Sequence, residues 1–558
     1  MATKSSPFST IGTTWFDSPR GQKLLENLTA YLFLAPAALH IFIFGLFPVA
    51  FAFFVSLHRW RRFPDEYRGL DQYVEALGGL AYVVFFWLAL GGIGYGLLLL
   101  YRLWKSTADN RAGVAYLLPG ILNAAALLGF TNWFFVLLPF VLNVPVRLRG
   151  LALIDGIFVR EFFNSFTFPE PLAAATPMWA LILAALVVGL LFAGVVRVPD
   201  RSRYLLLATL APLALASGAL ILQLTLSEIQ LAIEMAQAAG EALPLWSNII
   251  LISAGVGLLF AAYQVWQRAV RADADRNLLL LGLATTLLAG GGYLLIAELP
   301  PALASADKDV LRGFNISVMY SLGTVPFQLA ISLGLAVLLF QNIRGKGLLR
   351  VIYFMPYITP FVATSVVFSL LFSHRPGSPA NQLLTTLGIE TQNWLLEPKG
   401  INLLLFGEGI PAWLAGPGLA LIVIMIYNTW VYAGYSTVIF LAGLGNIPKE
   451  LYEAAKIDGA SGWQSFRFIT LPLLSPTTFF LILIATIGTF QAFTQIFLLR
   501  RPGALDAVDT INISIFERVS GSNPDYAYGS AMAFVLFAVI LILTLAQNRI
   551  AARRVFYG

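Results

Sequence analysis

An all-α polytopic membrane protein is the fold class this sequence predicts, and three observations predict it. Of its 558 residues 58% are hydrophobic and only 11% are charged, whereas soluble domains carry roughly a quarter charged residues. Twelve apolar runs are each long enough to cross a hydrocarbon layer ~30 Å thick, which takes about 20 helical residues. Basic residues gather in alternate connecting segments, as cytoplasmic loops require.

The runs lie at 29–57, 80–101, 113–142, 177–196, 204–226, 246–266, 278–299, 314–341, 351–373, 416–441, 473–499 and 527–548. With the N-terminus cytoplasmic, 21 of the 35 Lys and Arg fall in the inner segments, Arg197, Arg201 and Arg203 and the C-terminal Arg549, Arg553 and Arg554 among them. Both termini are then expected in the cytoplasm, at the cell membrane. The other 14 basic residues lie in longer outer segments, and no run contains Lys or Arg. His58-Arg59-Trp60-Arg61-Arg62 is basic yet outer, and reads as headgroup anchoring by Arg and Trp. The first run is too long for a signal-peptide core and reads as a retained anchor.

Composition narrows the function. The net charge of +6 follows from the loop bias and calls for no nucleic acid. There is no cysteine, hence no thiolate nucleophile or cysteine metal site. His40, His58 and His374 are too scattered to converge on a metal. Gly345-Lys346-Gly347 lacks both the earlier glycine and the hydroxyl residue of a phosphate-binding loop, so neither nucleotide hydrolysis by that route nor a resident cofactor is expected. Ion-coupled carriers bury ionisable groups; here the acidic residues of the runs sit near their ends, as Glu298 does, which weighs against a secondary transporter.

Between the tenth and eleventh apolar runs lies a polar segment, 449–476. Asn446 is placed to cap a first helix, Pro448 suits its first turn, and Gly459 supplies the positive φ that ends it. Ser461-Gly462-Trp463-Gln464 has the form of a capping box opening a second helix, which Pro472 stops or kinks. Leu451, Ala454, Ala455 and Asp458 share a face beside an i,i+4 pair of Lys449 and Glu453. Lying on lipid and docking to a partner protein both fit this pattern.

Glu453-Ala454-Ala455, three residues, Gly459, nine residues, Ile469, one residue and Leu471-Pro472 reproduce E-A-A-x3-G-x9-I-x-L-P, and the segment resembles the coupling signature of ABC-importer permease subunits. The stretches 29–60, RGLDQY at 68–73, 321–340, 344–360, NTWVYAGY at 428–435 and 528–543 are similar to the sugar-importer branch, in particular its MalF-type subunit. The resemblance implies the transmembrane domain of an ABC type I importer, with six core helices and six inserted ones. Residues 1–75 would hold the first core helix, 76–305 the inserted membrane region, and 306–558 the rest of the core with its coupling loop at 442–472.

The resemblance also implies partners: a second, MalG-like permease, a MalK-like ATPase dimer carrying ATP and Mg, and an extracytoplasmic sugar-binding protein. Glu453, Ala454, Ala455, Gly459, Leu471 and Pro472 would seat in the ATPase. Sugar contacts would come from Asn428, Val431, Tyr432 and Tyr435 and from Gly488, Thr489 and Ala492. Asn428 and Tyr435 keep the maltose-type pattern, whereas Gly488, Thr489 and Ala492 depart from it. Phe490, Gln491, Gln495 and Trp430 add hydrogen-bonding and stacking groups of the kind a sugar pocket needs. The candidate substrate set is therefore Asn428, Tyr432, Tyr435, Thr489 and Gln491. A permease for glycerol phosphate or a polyamine fits the coupling signature equally, because that signature does not report the solute.

Within 76–305 an even number of spans returns the chain to the side it left. Phe158, Phe162, Phe163 and Phe166 recur at helical spacing and predict a helix in the interface. Glu228, Glu234 and Glu241 read as a solvated acidic outer segment, and Gly92 and Gly96 as a helix contact. The outer segment 374–415 is too short for a separate domain.

Overall fold

The computed structural model describes residues 19–60, 64–106, 112–149, 156–195, 200–240, 243–271, 274–341, 343–407, 409–411 and 414–551. Among these, ten single helices and two bent helix pairs are long and apolar enough to span a membrane; each overlaps one of the twelve runs, the second pair starting at Gly462, well before its run.

The first span runs through α1 (Pro19–Ile41), a π-turn at Phe42–Leu46 and α2 (Phe47–Ser56). A short antiparallel hairpin, β1 (His58–Trp60) with β2 (Pro64–Tyr67), pairs His58 with Tyr67 and leads into α3 (Asp71–Leu77). Trp60 does not anchor to headgroups. The hairpin turns it back over α2, where it is buried edge-on against Phe51 and Phe54. Arg61 and Arg62 lie outside the described residues.

Six spanning helices follow: α4 (Leu80–Ser106), α5 (Leu117–Leu142), then, after the short surface helix α6 (Ile157–Asn164), α7 (Pro169–Val195), α8 (Arg201–Ala238), α9 (Leu245–Ala269) and α10 (Ala274–Leu303). Lipid gives helices no hydrophobic reason to associate, so small residues that allow close approach decide which pairs meet. Gly92 and Gly96 do this for α4: a Cβ on Gly92 would stand 3.3 Å from Gly218 Cα of α8, and one on Gly96 2.7 Å from Leu215. Gly291 of α10 meets the Gly255 carbonyl of α9 in the same way. The phenylalanine spacing correctly predicts α6, whose Phe158 and Phe163 are exposed while Phe162 packs on Phe166.

The acidic segment is a different matter. Helix α8 runs well past the apolar run 204–226 and carries Glu228 and Glu234 on helix rather than loop. The Glu228 carboxylate lies directly against the backbone at Gly69, so it meets the RGLDQY segment instead of facing solvent freely. Glu234 accepts a hydrogen bond from Gln230 at 3.0 Å, and Glu241 lies outside the described residues.

The remaining core consists of α11 (Lys308–Phe340), the pair α12 (Lys346–Ile358) and α13 (Phe361–Leu371), the central α14 (Leu419–Gly445), α15 (Lys449–Ile457), α16 (Gly462–Ser465), α17 (Ser475–Phe490), α18 (Thr494–Leu499), α19 (Ile511–Ser520) and α20 (Tyr526–Ala551). Along α14, Tyr427, Val431 and Phe440 are fully enclosed. Two buried polar bridges fix it to α11: Ser332 Oγ donates to the Ala433 carbonyl and Gln328 Nε2 to Ser436 Oγ, both at 2.9 Å.

Two runs are not straight spans. The run 351–373 bends by 97° between α12 and α13, where Pro360 cannot donate to the helix ladder and forces the preceding Thr359 into extended backbone. The run 473–499 breaks at residues 491–493, between α17 and α18.

The two ends of the stretch 76–305 lie side by side. The Asp307 N–H donates to the Glu75 carbonyl at 2.9 Å. The Asp307 carboxylate then caps α11 and accepts hydrogen bonds from Arg518 at 2.8 Å and Tyr528 at 2.7 Å, joining α11, α19 and α20 at that face.

Candidate functional site

Residues 446–473 form the polar module between α14 and α17. Ile447 precedes a proline and so is held out of helical backbone, which ends α14 at Gly445 and leaves Asn446 bonded back to the Gly443 carbonyl. Asn446 therefore does not cap α15; Pro448 occupies that position and no side chain caps the helix. Gly459 has φ +76°, the left-handed residue expected at this corner. The capping box at Ser461 and Gln464 is complete in both directions. Lys449 and Glu453 form no ion pair, in keeping with the small energy such an exposed contact would return.

The module is fixed on one side and bare on the other. Tyr452 and Ile469 pack against the buried cluster that includes Ile447 and, from the flanking elements, Phe440, Leu444 and Leu474, and the Tyr452 hydroxyl bonds Thr470 Oγ1 at 2.9 Å. A π-turn at Phe466–Thr470 leads into a 62° bend between Gly462–Leu473 and Ser475–Phe490, where Pro472 stands as the kink residue. Glu453, Ala454 and Leu471 are exposed, Ala455 and Pro472 half-buried. Apolar side chains share this bare side: Ile457 is 86%, Phe468 70% and Trp463 66% exposed. Large apolar groups exposed at the tip of a firmly seated element mark a contact surface, for protein or for membrane.

The candidate substrate residues divide. Asn428 is buried on α14, and its Oδ1 accepts from Gln495 Nε2 of α18 at 3.3 Å. Tyr432 and Tyr435 are half-buried and converge on Tyr357 of α12, with ring centroids at 5.8 and 4.9 Å. Thr489 is drawn away from this group: it is buried and donates to Ser321 Oγ of α11 at 2.8 Å. Gln491 is exposed at the break that follows α17, and Trp430 is also exposed, packed on Phe368. Discontinuous helices of this kind recur at transporter binding sites, because the break frees backbone polar groups at membrane depth. Tyr357 escaped the sequence reading. The signal for it was the Pro356 and Pro360 that bracket it, which mark the bent span turning its aromatic face to α14.

Residues 328–557 match the family described as "Binding-protein-dependent transport system inner membrane component". The chain is 30% identical over 251 residues to the lactose transport system permease protein LacF of Rhizobium radiobacter, covering 44% of this chain and 78% of that one. The chain belongs to this permease family. It is also 30% identical to the trehalose/maltose transport system permease protein MalF of Thermococcus litoralis, covering 43% of this chain and 74% of the relative. Among solved structures it is similar to a bacterial alginate ABC transporter in complex with an alginate pentasaccharide-bound periplasmic protein, at 22% identity and a TM-score of 0.38, over 44% of this chain and 80% of that one. As a permease of this family it is a multi-pass inner-membrane protein and a transport subunit.

Proposed function

We propose that this permease forms half of the translocation pathway of an ATP-driven importer for a sugar or oligosaccharide, and that the 446–473 module transmits the movement of a separate ATPase into the membrane. The bare, fixed module carries the coupling reading. The solute class rests on relatives named for lactose and for trehalose/maltose transport. The module lies on the cytoplasmic side in this reading, supported by Lys449, Lys456 and Arg467, so both termini do too. A MalK-like ATPase dimer with ATP and Mg would seat on Glu453, Ala454 and Ala455. A sugar-binding protein would dock on the opposite face. A MalG-like second permease would supply the other half of the pathway, and α1 offers it a bare helix on which Tyr31 and Phe33 are 71% and 80% exposed.

The pathway residues in this reading are Asn428, Tyr432, Tyr435, Tyr357 and Gln491. Replacing Asn428 by alanine strands the buried Gln495 amide, at about 1–3 kcal/mol, and should lower both thermal stability and sugar uptake by the reconstituted importer. Gln491→Ala should lower uptake several-fold with stability unchanged. Sugar uptake equal to wild type in both variants would remove these residues from the pathway.

The six spans of 76–305 are read as a membrane insertion into a six-helix core. Because Glu75 and Asp307 are hydrogen-bonded neighbours, joining Gly78 directly to Ala304 closes the gap without stretching the chain. The apolar surfaces so exposed on α2 and α20 face lipid, which carries no hydrophobic penalty. The excised chain should remain monodisperse in mild detergent and should still assemble with its ATPase; aggregation of it on size-exclusion chromatography would show that the six spans are part of the core.

A further inference from the structure

We propose that a cleft at the face opposite the coupling module binds the acidic group of an anionic saccharide as it enters the pathway, an inference that rests on the sugar-importer reading. The cleft has a volume of about 690 Å³ and is lined by Ser369, Phe372, Ser373, His374, Arg375 and Arg501, among others. No carboxylate is among its lining residues. Its walls are the ends of the two interrupted spans: Ser369 and Phe372 close the span containing α13, and Arg501 follows α18. Solute passing between that face and Gln491 or Tyr357 would meet it first.

The charge of the cleft is arranged by the fold. Arg500 and Arg501 are adjacent but serve opposite ends. Arg500 is neutralised by Asp509 at 3.1 Å and Glu517 at 2.8 Å. Arg501 hydrogen-bonds only neutral acceptors among the described residues: the Leu498 and Arg500 carbonyls at 3.1 and 2.9 Å, and Ser369 Oγ at 2.9 Å. Its guanidinium is thus held at the cleft with its charge uncompensated. Arg375 and His374 bring further donors from the facing loop.

That loop is preorganised. Asn381 is fully buried, donates to the Ser373, Arg375 and Gln392 carbonyls, and accepts the Gln392 N–H at 2.9 Å and the Trp394 indole N–H at 2.7 Å. Trp394 itself is held at φ +41°, a strained backbone of the sort that clusters at ligand clamps. A cleft holding the Arg501 guanidinium, with Arg375, several hydroxyls and the apolar Phe372 in its lining, matches a sugar ring bearing a carboxylate, since Arg forks take carboxylates in two-point contact.

The test uses the full chain in lipid nanodiscs, titrated with trigalacturonate and with its methyl ester, which has the same skeleton without the charge. Trigalacturonate should bind about tenfold more tightly than the ester. Arg501→Gln should abolish that preference, and Arg501→Lys, which keeps the charge without the fork, should retain only part of it. Equal affinity for acid and ester overturns the proposal, as does a preference that survives Arg501→Gln combined with Arg375→Gln. Glycerol 3-phosphate binding as tightly as trigalacturonate would also overturn it, because the cleft would then read phosphate rather than a saccharide. In the assembled importer with its binding protein, uptake of maltotriose but not of trigalacturonate would leave the sugar reading standing and sink this one. Uptake of neither would sink the parent reading.

Discussion

Replacing Gly459 by proline should leave the chain folded in the membrane and abolish both sugar uptake and the ATP hydrolysis stimulated by the binding protein. Gly459 sits at φ +76°, and proline is locked near −65°, so the corner between α15 and α16 cannot form. Proline would also remove the N–H that Gly459 donates to the Lys456 carbonyl at 3.2 Å. The spanning helices on either side keep their own contacts, so the damage is confined to the module proposed to meet the ATPase. Alanine makes the graded control. A Cβ at Gly459 meets nothing within 4 Å, leaving only the left-handed backbone penalty of roughly 1–2 kcal/mol. Gly459→Ala should therefore retain partial uptake. ATPase assays on the reconstituted complex, with membrane extraction to confirm insertion, check both. Stimulated hydrolysis by the proline variant at the wild-type rate would overturn the coupling role of this module.

What the sequence made legible follows from how additive each signal is. Spanning helices were readable because the free energy of placing an apolar residue in lipid accumulates over some 20 positions, and one exception changes little. The corner at Gly459 and the box at Ser461 were readable because they depend on three or four adjacent residues. Three of the failures involve a distant partner. Nothing near Thr489 says that Ser321 will accept its hydroxyl hydrogen, nothing near Trp60 that a two-stranded hairpin will fold it onto Phe51 and Phe54, and nothing near Glu228 that the Gly69 backbone waits beside it. The break after Phe490 was hidden for another reason: Gln491, Ala492 and Phe493 interrupt the helix without a proline or glycine. Asn446 failed as a cap because Ile447 is committed to the core next to Leu444 and Leu474, which moves the start of α15 beyond Pro448.

A valine at Gly434 should cost the chain both stability and transport, and the reason is a helix crossing at which backbone meets backbone. A Cβ on Gly434 of α14 would stand 2.2 Å from the Tyr353 carbonyl oxygen and 3.0 Å from Phe354 Cα. Both obstacles are backbone of α12, so no side-chain rotation relieves them; the helix itself has to move. Overpacking in a core where side chains adjust costs typically 1–3 kcal/mol, and a backbone clash belongs at or above the upper end. The shift would also displace Tyr357, one turn on from Tyr353 along α12, from Tyr432 and Tyr435. Gly434→Val should thus lower the thermal midpoint of the purified chain and reduce sugar uptake by at least tenfold. Gly488→Ala is the matched control, since a Cβ there meets nothing within 4 Å and should leave stability unchanged. If the valine variant kept wild-type stability, α12 would have to be loosely held against α14, and the aromatic group formed by Tyr357, Tyr432 and Tyr435 would lose its claim to be a preformed part of the pathway.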